Sequence, residues 1–259
     1  MENSLIVPDS QSFFLPGSRT GCLLLHGFTS MPEEVRPLGD YLNQQGYSVL
    51  GLRLAGHATH PEDLARTLWK DWLVNIEDGL AWLRPVCDRV FLIGQSLGGM
   101  LALLAGARYP VDGVVALSTS FDFDNDWRMR TLRFWSFFIP IIHKGRTPIY
   151  DPKATRRERD YPAYPFFPTR ILAEVEDLKT AMHAELKNIK APILMIHSRK
   201  DPEIPVENAE RLFAALPDNP KDLHWLENCG HSITMDPNHA PAFYRICAFI
   251  RSIELTNEP

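Results

Sequence analysis

A serine, an aspartate and a histidine of this chain stand in local settings that suit proton transfer, although they lie far apart in sequence. Ser96 sits in Gly94-Gln95-Ser96-Leu97-Gly98, between the apolar run 90–93 and the small-residue helical stretch 100–108. Such a serine occupies a tight strand-to-helix corner, and the glycines two residues either side leave the helix room to pack against a neighbouring strand. At average glycine content the five-residue pattern arises by accident in roughly one chain of this length in ten. The flanking strand and helix therefore carry the assignment of Ser96 as a nucleophile. A serine hydroxyl needs a base, and the base needs an orienting carboxylate. The apolar run 192–197 opens into Ser198-Arg199-Lys200-Asp201, which places Asp201 at the carboxyl end of a buried parallel strand. The run 223–226 leads into Glu227-Asn228-Cys229-Gly230-His231, where Gly230 gives a turn just before His231. The order serine, aspartate, histidine is the one that accompanies a serine on a strand-turn-helix corner.

Attack on a carbonyl creates an oxyanion that two backbone donors must meet. The amide of Leu97 opens a helix, where N–H groups lack intrahelical partners and the dipole favours negative charge. The second donor is assigned to the amide of Phe28, in the turn His26-Gly27-Phe28-Thr29-Ser30 that follows the apolar run 22–25.

Taken together, His26-Gly27-Phe28, Gly94 to Gly98, Asp201 and Gly230-His231 resemble the α/β-hydrolase superfamily over nearly the whole chain. Gly56-His57, Pro61-Glu62-Asp63-Leu64 and Asp71-Trp72 are similar to small-capped carboxylesterases and bacterial monoacylglycerol lipases. The resemblance implies hydrolysis of carboxylic esters through an acyl-serine intermediate, with Ser96, His231 and Asp201 as the triad and Phe28 and Leu97 as the oxyanion hole. It implies neither a metal nor an organic cofactor. Where those relatives carry Gly-His-Gly, this chain has Gly56-His57-Ala58.

The elements that must position these groups alternate. Strands are predicted over 22–25, 47–52, 90–93, 113–117, 192–197 and 223–226, with an extra one over 12–15. Helices are predicted over 33–45, 69–83, 100–108, 173–186, 206–215 and 240–253. This is the pattern of an α/β-hydrolase fold, a mostly parallel sheet covered on both faces. Residues 1–118 and 170–259 form the core, and 119–169 are read as an inserted cap, because a structureless loop of that length is improbable. The centre of the cap, Phe134 to Ile142, has helical spacing and either lines an acyl-binding tunnel or packs the cap onto the core. The basic residues around it, Arg128, Arg130, Arg133, Lys144, Arg146, Arg156, Arg157 and Arg159, form a solvated surface or attract an anionic interface.

Other groups carry less. His57 and His60 lie three apart near Asp63 with no second pair, so zinc is not expected. His26 braces its own turn, and His197 is read as a satisfied core histidine. Asp122, Asp124 and Asp126 lack the glycine and terminal glutamate of a calcium loop and are read as a solvated turn, with Asp122 a reserve triad acid. Cys22, Cys87, Cys229 and Cys247 show no paired spacing and read as reduced core residues. With no basic, apolar leader at Met1 to Ser4, the expectation is a cytoplasmic enzyme. A net charge of −5 gives no field for nucleic acid, and no run is long enough to span a bilayer. The expected partner is a small ester with a lipophilic acyl group; the sequence leaves the oligomeric state open. A thioesterase, an acyltransferase or a C–C bond hydrolase could use the same triad, and a binding receptor could retain the pocket.

Overall fold

A computed structural model of the chain describes residues 5–122, 136, 138–143 and 163–256. The strands in chain order are Phe13–Leu15 (β1), Thr20–Leu25 (β2), Ser48–Leu52 (β3), Arg89–Gln95 (β4), Gly113–Leu117 (β5), Ile141–His143 (β6), Phe166–Pro168 (β7), Ile193–Ser198 (β8) and Lys221–Leu226 (β9). The helices are Arg36–Gln44 (α1), Pro61–Leu64 (α2), Trp69–Leu83 (α3), Leu97–Arg108 (α4), Arg170–Glu185 (α5), Val206–Ala215 (α6) and Ala240–Thr256 (α7).

Because β2, β3, β5 and β8 are apolar without alternation, they are buried along their whole length, as strands covered on both faces must be. The main sheet runs β1-β3-β2-β4-β5-β8-β9. Only β1, the predicted extra strand, is antiparallel; it pairs Phe13 with Gly51. The other pairs are parallel, with β4 held between β2 (Leu23 opposite Leu92) and β5 (Ile93 opposite Val115).

Strand side chains alternate between faces, so each strand feeds two cores. Leu23, Leu25 and Leu92 pack with Trp72 and Ile76 of α3, Leu101 of α4 and Leu178 of α5. Cys22, Leu24, Phe91 and Ile93 pack with Leu38 and Leu42 of α1 and Phe243, Ile246 and Ile250 of α7. Each such side chain contributes about 1.5–3 kcal/mol on full burial. A parallel sheet puts the carboxyl ends of its strands on one edge. The turn after β2, Ser96 after β4, the Asp201 loop after β8 and His231 after β9 therefore gather on the same edge.

Boundaries differ where local chemistry intervenes. The helix predicted over 33–45 is a 3-10 turn at Pro32–Val35 followed by α1, with Pro37 in its first turn, where a missing N–H costs nothing. The helix predicted from 100 starts at Leu97, and that predicted from 173 starts at Arg170. The helical reading of the cap centre fails at its end, where Ile141–His143 pairs antiparallel with Phe166–Pro168. At the described end of the run, Phe138, Ile139 and Ile141 are exposed at 61%, 52% and 42%. Residues 123–135, 137 and 144–162, which include Asp124, Asp126, Phe134 and the basic residues named above, lie outside the described residues.

The described chain is tied down on either side of residues 123–162. On the incoming side, Asn208 Oδ1 accepts the amides of Phe121 and Asp122 at 2.9 and 2.7 Å. On the returning side, fully buried Tyr164 donates its hydroxyl to Gly56 O at 3.1 Å and accepts from Thr59 N–H at 2.9 Å. All four cysteines are buried and unpaired. Among the described residues no helix is long and apolar enough to cross a membrane.

Candidate active site

The corner that carries Ser96 is built from close approach. A Cβ on Gly94 would stand 2.0 Å from Gly98 O, and one on Gly98 would stand 2.3 Å from Leu25 O at the end of β2. Both distances are far inside contact, so only glycine lets α4 cross over the sheet here. Ser96 itself has φ 54° and ψ −114°, a left-handed conformation that non-glycine residues adopt only when their surroundings impose it. Its amide donates to Leu117 O at 2.8 Å, which anchors the strained residue to β5.

Three distant segments converge on that hydroxyl. Ser96 Oγ lies 3.0 Å from His231 Nε2, and His231 Nδ1 lies 2.8 Å from Asp201 Oδ2. The other carboxylate oxygen, Oδ1, accepts the amides of Glu203 and Ile204 at 2.8 and 3.0 Å. With one oxygen fixed by the loop, the second is aimed at the imidazole. The Asp201 side chain is fully buried and that of His231 nearly so. Burial alone would lower the His231 pKa, but the hydrogen bond to Asp201 and the charges of Asp201, Glu203 and Glu34 outweigh it and hold it above the ordinary histidine value. Burial likewise opposes the Asp201 carboxylate, and the hydrogen bonds from His231, Ile204 and Glu203 nevertheless keep it below the ordinary aspartate value. This is a serine hydroxyl facing a base whose protonated form is stabilised from behind, the arrangement needed to make a nucleophile at neutral pH.

Beside it stands the turn after β2. Gly27 is so near that a Cβ there would lie 3.5 Å from the Ser96 Cβ. The Phe28 amide that follows donates to no other group among the described residues. Leu97 is the first residue of α4, so its N–H has no acceptor within the helix. His26 braces this turn as expected: its Nδ1 donates to Gly27 O at 2.9 Å and its Nε2 accepts the Leu54 amide at 3.2 Å. Burial pushes His26 down to about 4, so it is neutral at pH 7. His57 is engaged the same way, donating to Ala55 O at 3.0 Å and accepting Thr29 N–H at 3.2 Å. The departure at Ala58 is accommodated in a left-handed backbone, φ 54°, that would suit glycine better.

Two readings need correction. Asp122 is more than a solvated turn: it pairs with Lys179 at 2.8 Å and Arg211 at 3.2 Å, fastening the chain to α5 and α6, while the imidazole's Nδ1 is taken by Asp201. His197 is only half satisfied; Nε2 donates to Ile204 O at 3.0 Å, while buried Nδ1 has no hydrogen-bond partner.

Sequence reasoning also passed over groups that hold the site together. Gln95 Nε2 donates to His231 O at 2.8 Å. The buried Glu34 accepts the Gly27 amide at 2.6 Å and Ser232 Oγ at 3.4 Å, bridging the turn after β2 to the residue after His231. Glu203 Oε2 lies 3.7 Å from His231 Nε2. The only sequence signal was proximity, since each lies within two residues of a site residue or on the helix entered from the oxyanion turn.

The family described as serine aminopeptidase, S33, matches residues 17–238. A thermostable monoacylglycerol lipase of Bacillus sp. (strain H-257) is 31% identical over 241 residues, 89% of this chain and 90% of the relative. A carboxylesterase of Bacillus subtilis (strain 168) is 27% identical over 245 residues, 93% of this chain and 96% of the relative. The structure of a metagenome-derived lipolytic enzyme, from work on LipS and LipT, is 28% identical, covers 95% of this chain and 99% of its own, and superposes with a TM-score of 0.85.

Proposed function

This chain belongs to the serine aminopeptidase S33 family of α/β-hydrolases, and from that premise we propose how it works as a serine hydrolase of carboxylic esters and what it accepts. The family is described by its aminopeptidases, but the relatives matched along nearly their full length are ester hydrolases, and this chain is one too. One observation supports the machinery above all: the unbroken line from Ser96 Oγ through His231 to Asp201, 3.0 and 2.8 Å long in its two hydrogen bonds.

In the proposed reaction the ester carbonyl oxygen lies between the amides of Phe28 and Leu97. Ser96 Oγ attacks the carbonyl carbon as its proton passes to His231 Nε2, and Asp201 stabilises the imidazolium. When the tetrahedral intermediate collapses, the C–O bond to the alcohol breaks and Nε2 returns the proton to the departing oxygen. A water then gives its proton to Nε2 and attacks the acyl-serine, and the returning proton restores Ser96 as the acid leaves. Atoms and charges balance without a further reactant.

Residues 119–169 are proposed as the cap over this edge, with the acyl chain beneath it. The position of Phe167 of β7, its ring 5.3 Å from that of Phe28, supports a lipophilic acyl group next to the oxyanion turn. Monoacylglycerols are the favoured class, on the strength of the lipase relative. A cytoplasmic location is also proposed, supported by four buried cysteines left unpaired. The test is a kcat/KM profile across p-nitrophenyl esters from about two to sixteen carbons, extended to monoacylglycerols. A maximum at medium or long chains is expected; a monotonic fall from the acetate would contradict the lipophilic reading.

A further inference from the structure

Glu203 sits on the loop after β8, and its carboxylate oxygen Oε2 lies 3.7 Å from His231 Nε2, the atom that faces the serine hydroxyl. Its side chain is 68% exposed, so the charge borders open space. The Glu203 amide is held by Asp201 Oδ1, which fixes the backbone from which the side chain rises. Among the described residues no lysine or arginine pairs with it: the basic side chains of the same loop, Arg199 and Lys200, turn to Glu227 and Asn228. Two other carboxylates act on the imidazole, but both are buried. Asp201 is bound to Nδ1 on the far side of the ring, and Glu34 is bound to the Gly27 amide and Ser232.

We propose that Glu203 selects the charge of the departing alcohol, favouring esters of cationic alcohols over neutral ones and disfavouring leaving groups that carry an anion, phosphate-bearing thiol carriers included. The inference rests on the reading of His231 as the acid that protonates the leaving group. For that transfer the departing oxygen must stand within about 3 Å of Nε2. It then lies within about 7 Å of the Glu203 carboxylate. That separation is shorter than the Debye length of about 8 Å at physiological ionic strength, so a charge on the alcohol feels the carboxylate. Because the group is exposed, the interaction works against a high dielectric and amounts to about three- to tenfold in rate, not thousands.

The test compares kcat/KM for three esters of one acid: the trimethylammonioethyl ester, its neutral 3,3-dimethylbutyl isostere and the sulfoethyl ester. The natural enzyme is expected to rank them cation, neutral, anion, with the cation favoured about three- to tenfold over its isostere and the margin shrinking in high salt. Glu203→Gln should bring the cation-to-neutral ratio near one, and Glu203→Lys should invert the order. Turnover of the neutral ester with a ratio that neither substitution moves would overturn the proposal and leave the serine-hydrolase reading standing. No turnover of any of the three would overturn both.

Discussion

The side chain of Gln95 donates to the main-chain carbonyl of His231 at 2.8 Å, so the residue before the nucleophile holds the loop that carries the base. Serine and imidazole are thus set by one hydrogen bond across the sheet edge as well as by their own. Gln95→Ala should lower kcat by about 10–100-fold through misplacement of the imidazole, with KM nearly unchanged. Steady-state kinetics beside a thermal melt check this; an unchanged kcat in a folded variant would show that the loop is positioned without Gln95.

The pH dependence follows from the raised His231 pKa. Activity needs the neutral imidazole, so kcat/KM should climb as pH rises through a midpoint above the ordinary histidine value of about 6.5. Asp201→Asn should move that midpoint down and reduce kcat by about 10⁴, as loss of the orienting carboxylate does in other triads. His26, pushed down to about 4, should leave no inflection near neutrality. For stability the signs are opposite. The raised His231 pKa stabilises the fold at low pH, and this is lost as pH rises through the folded-state value; the lowered Asp201 pKa stabilises it above the unfolded carboxylate value, and this is lost as pH falls through the folded one.

How much of this was legible in the sequence depends on the range of the interaction. The Ser96 corner is a local steric matter, and Gly94, Gly98 and the apolar run before them state it directly. Asp201 and His231 follow from strand ends and chain order. Choosing Asp201 over Asp122 is less local: both follow strands, and the two are told apart by the bond of Asp201 to His231 Nδ1 and by the ion pairs of Asp122 with Lys179 and Arg211. Glu34 was invisible as a site residue because acids are common in the first turn of a helix; its bond to Gly27 exists only once the turn after β2 folds back over it. The strand Ile141–His143 was misread because three residues have no period, and its partner, Phe166–Pro168, is distant in sequence.

Glu34→Gln keeps the shape of the bridge but weakens its hold on the Gly27 amide and removes a charge that supports the imidazolium. Roughly tenfold loss of kcat is expected, with the acid limb of the pH profile shifted down. A profile superimposable on that of the natural enzyme would reduce Glu34 to a packing role.

Gly98→Ala would drive a methyl into the Leu25 carbonyl, which as backbone cannot move aside. Destabilisation of at least about 2–3 kcal/mol is expected, a fall of about 5–10 °C in Tm. Gly230→Ala is the control, since its nearest neighbour, Asp236 Oδ2, would be in ordinary contact at 3.6 Å. Equal melting temperatures for the two variants would refute the close-approach account of the corner.

Turnover depends on Ser96 Oγ taking the acyl group, and labelling with a fluorophosphonate followed by peptide mapping tests this most directly. One phosphonyl group per chain is expected, on Ser96, with ester turnover lost in step with labelling and Ser96→Ala both unlabelled and slowed by about 10⁶ in kcat. Modification of a different residue, or a Ser96→Ala enzyme that retains most of its turnover, would contradict it.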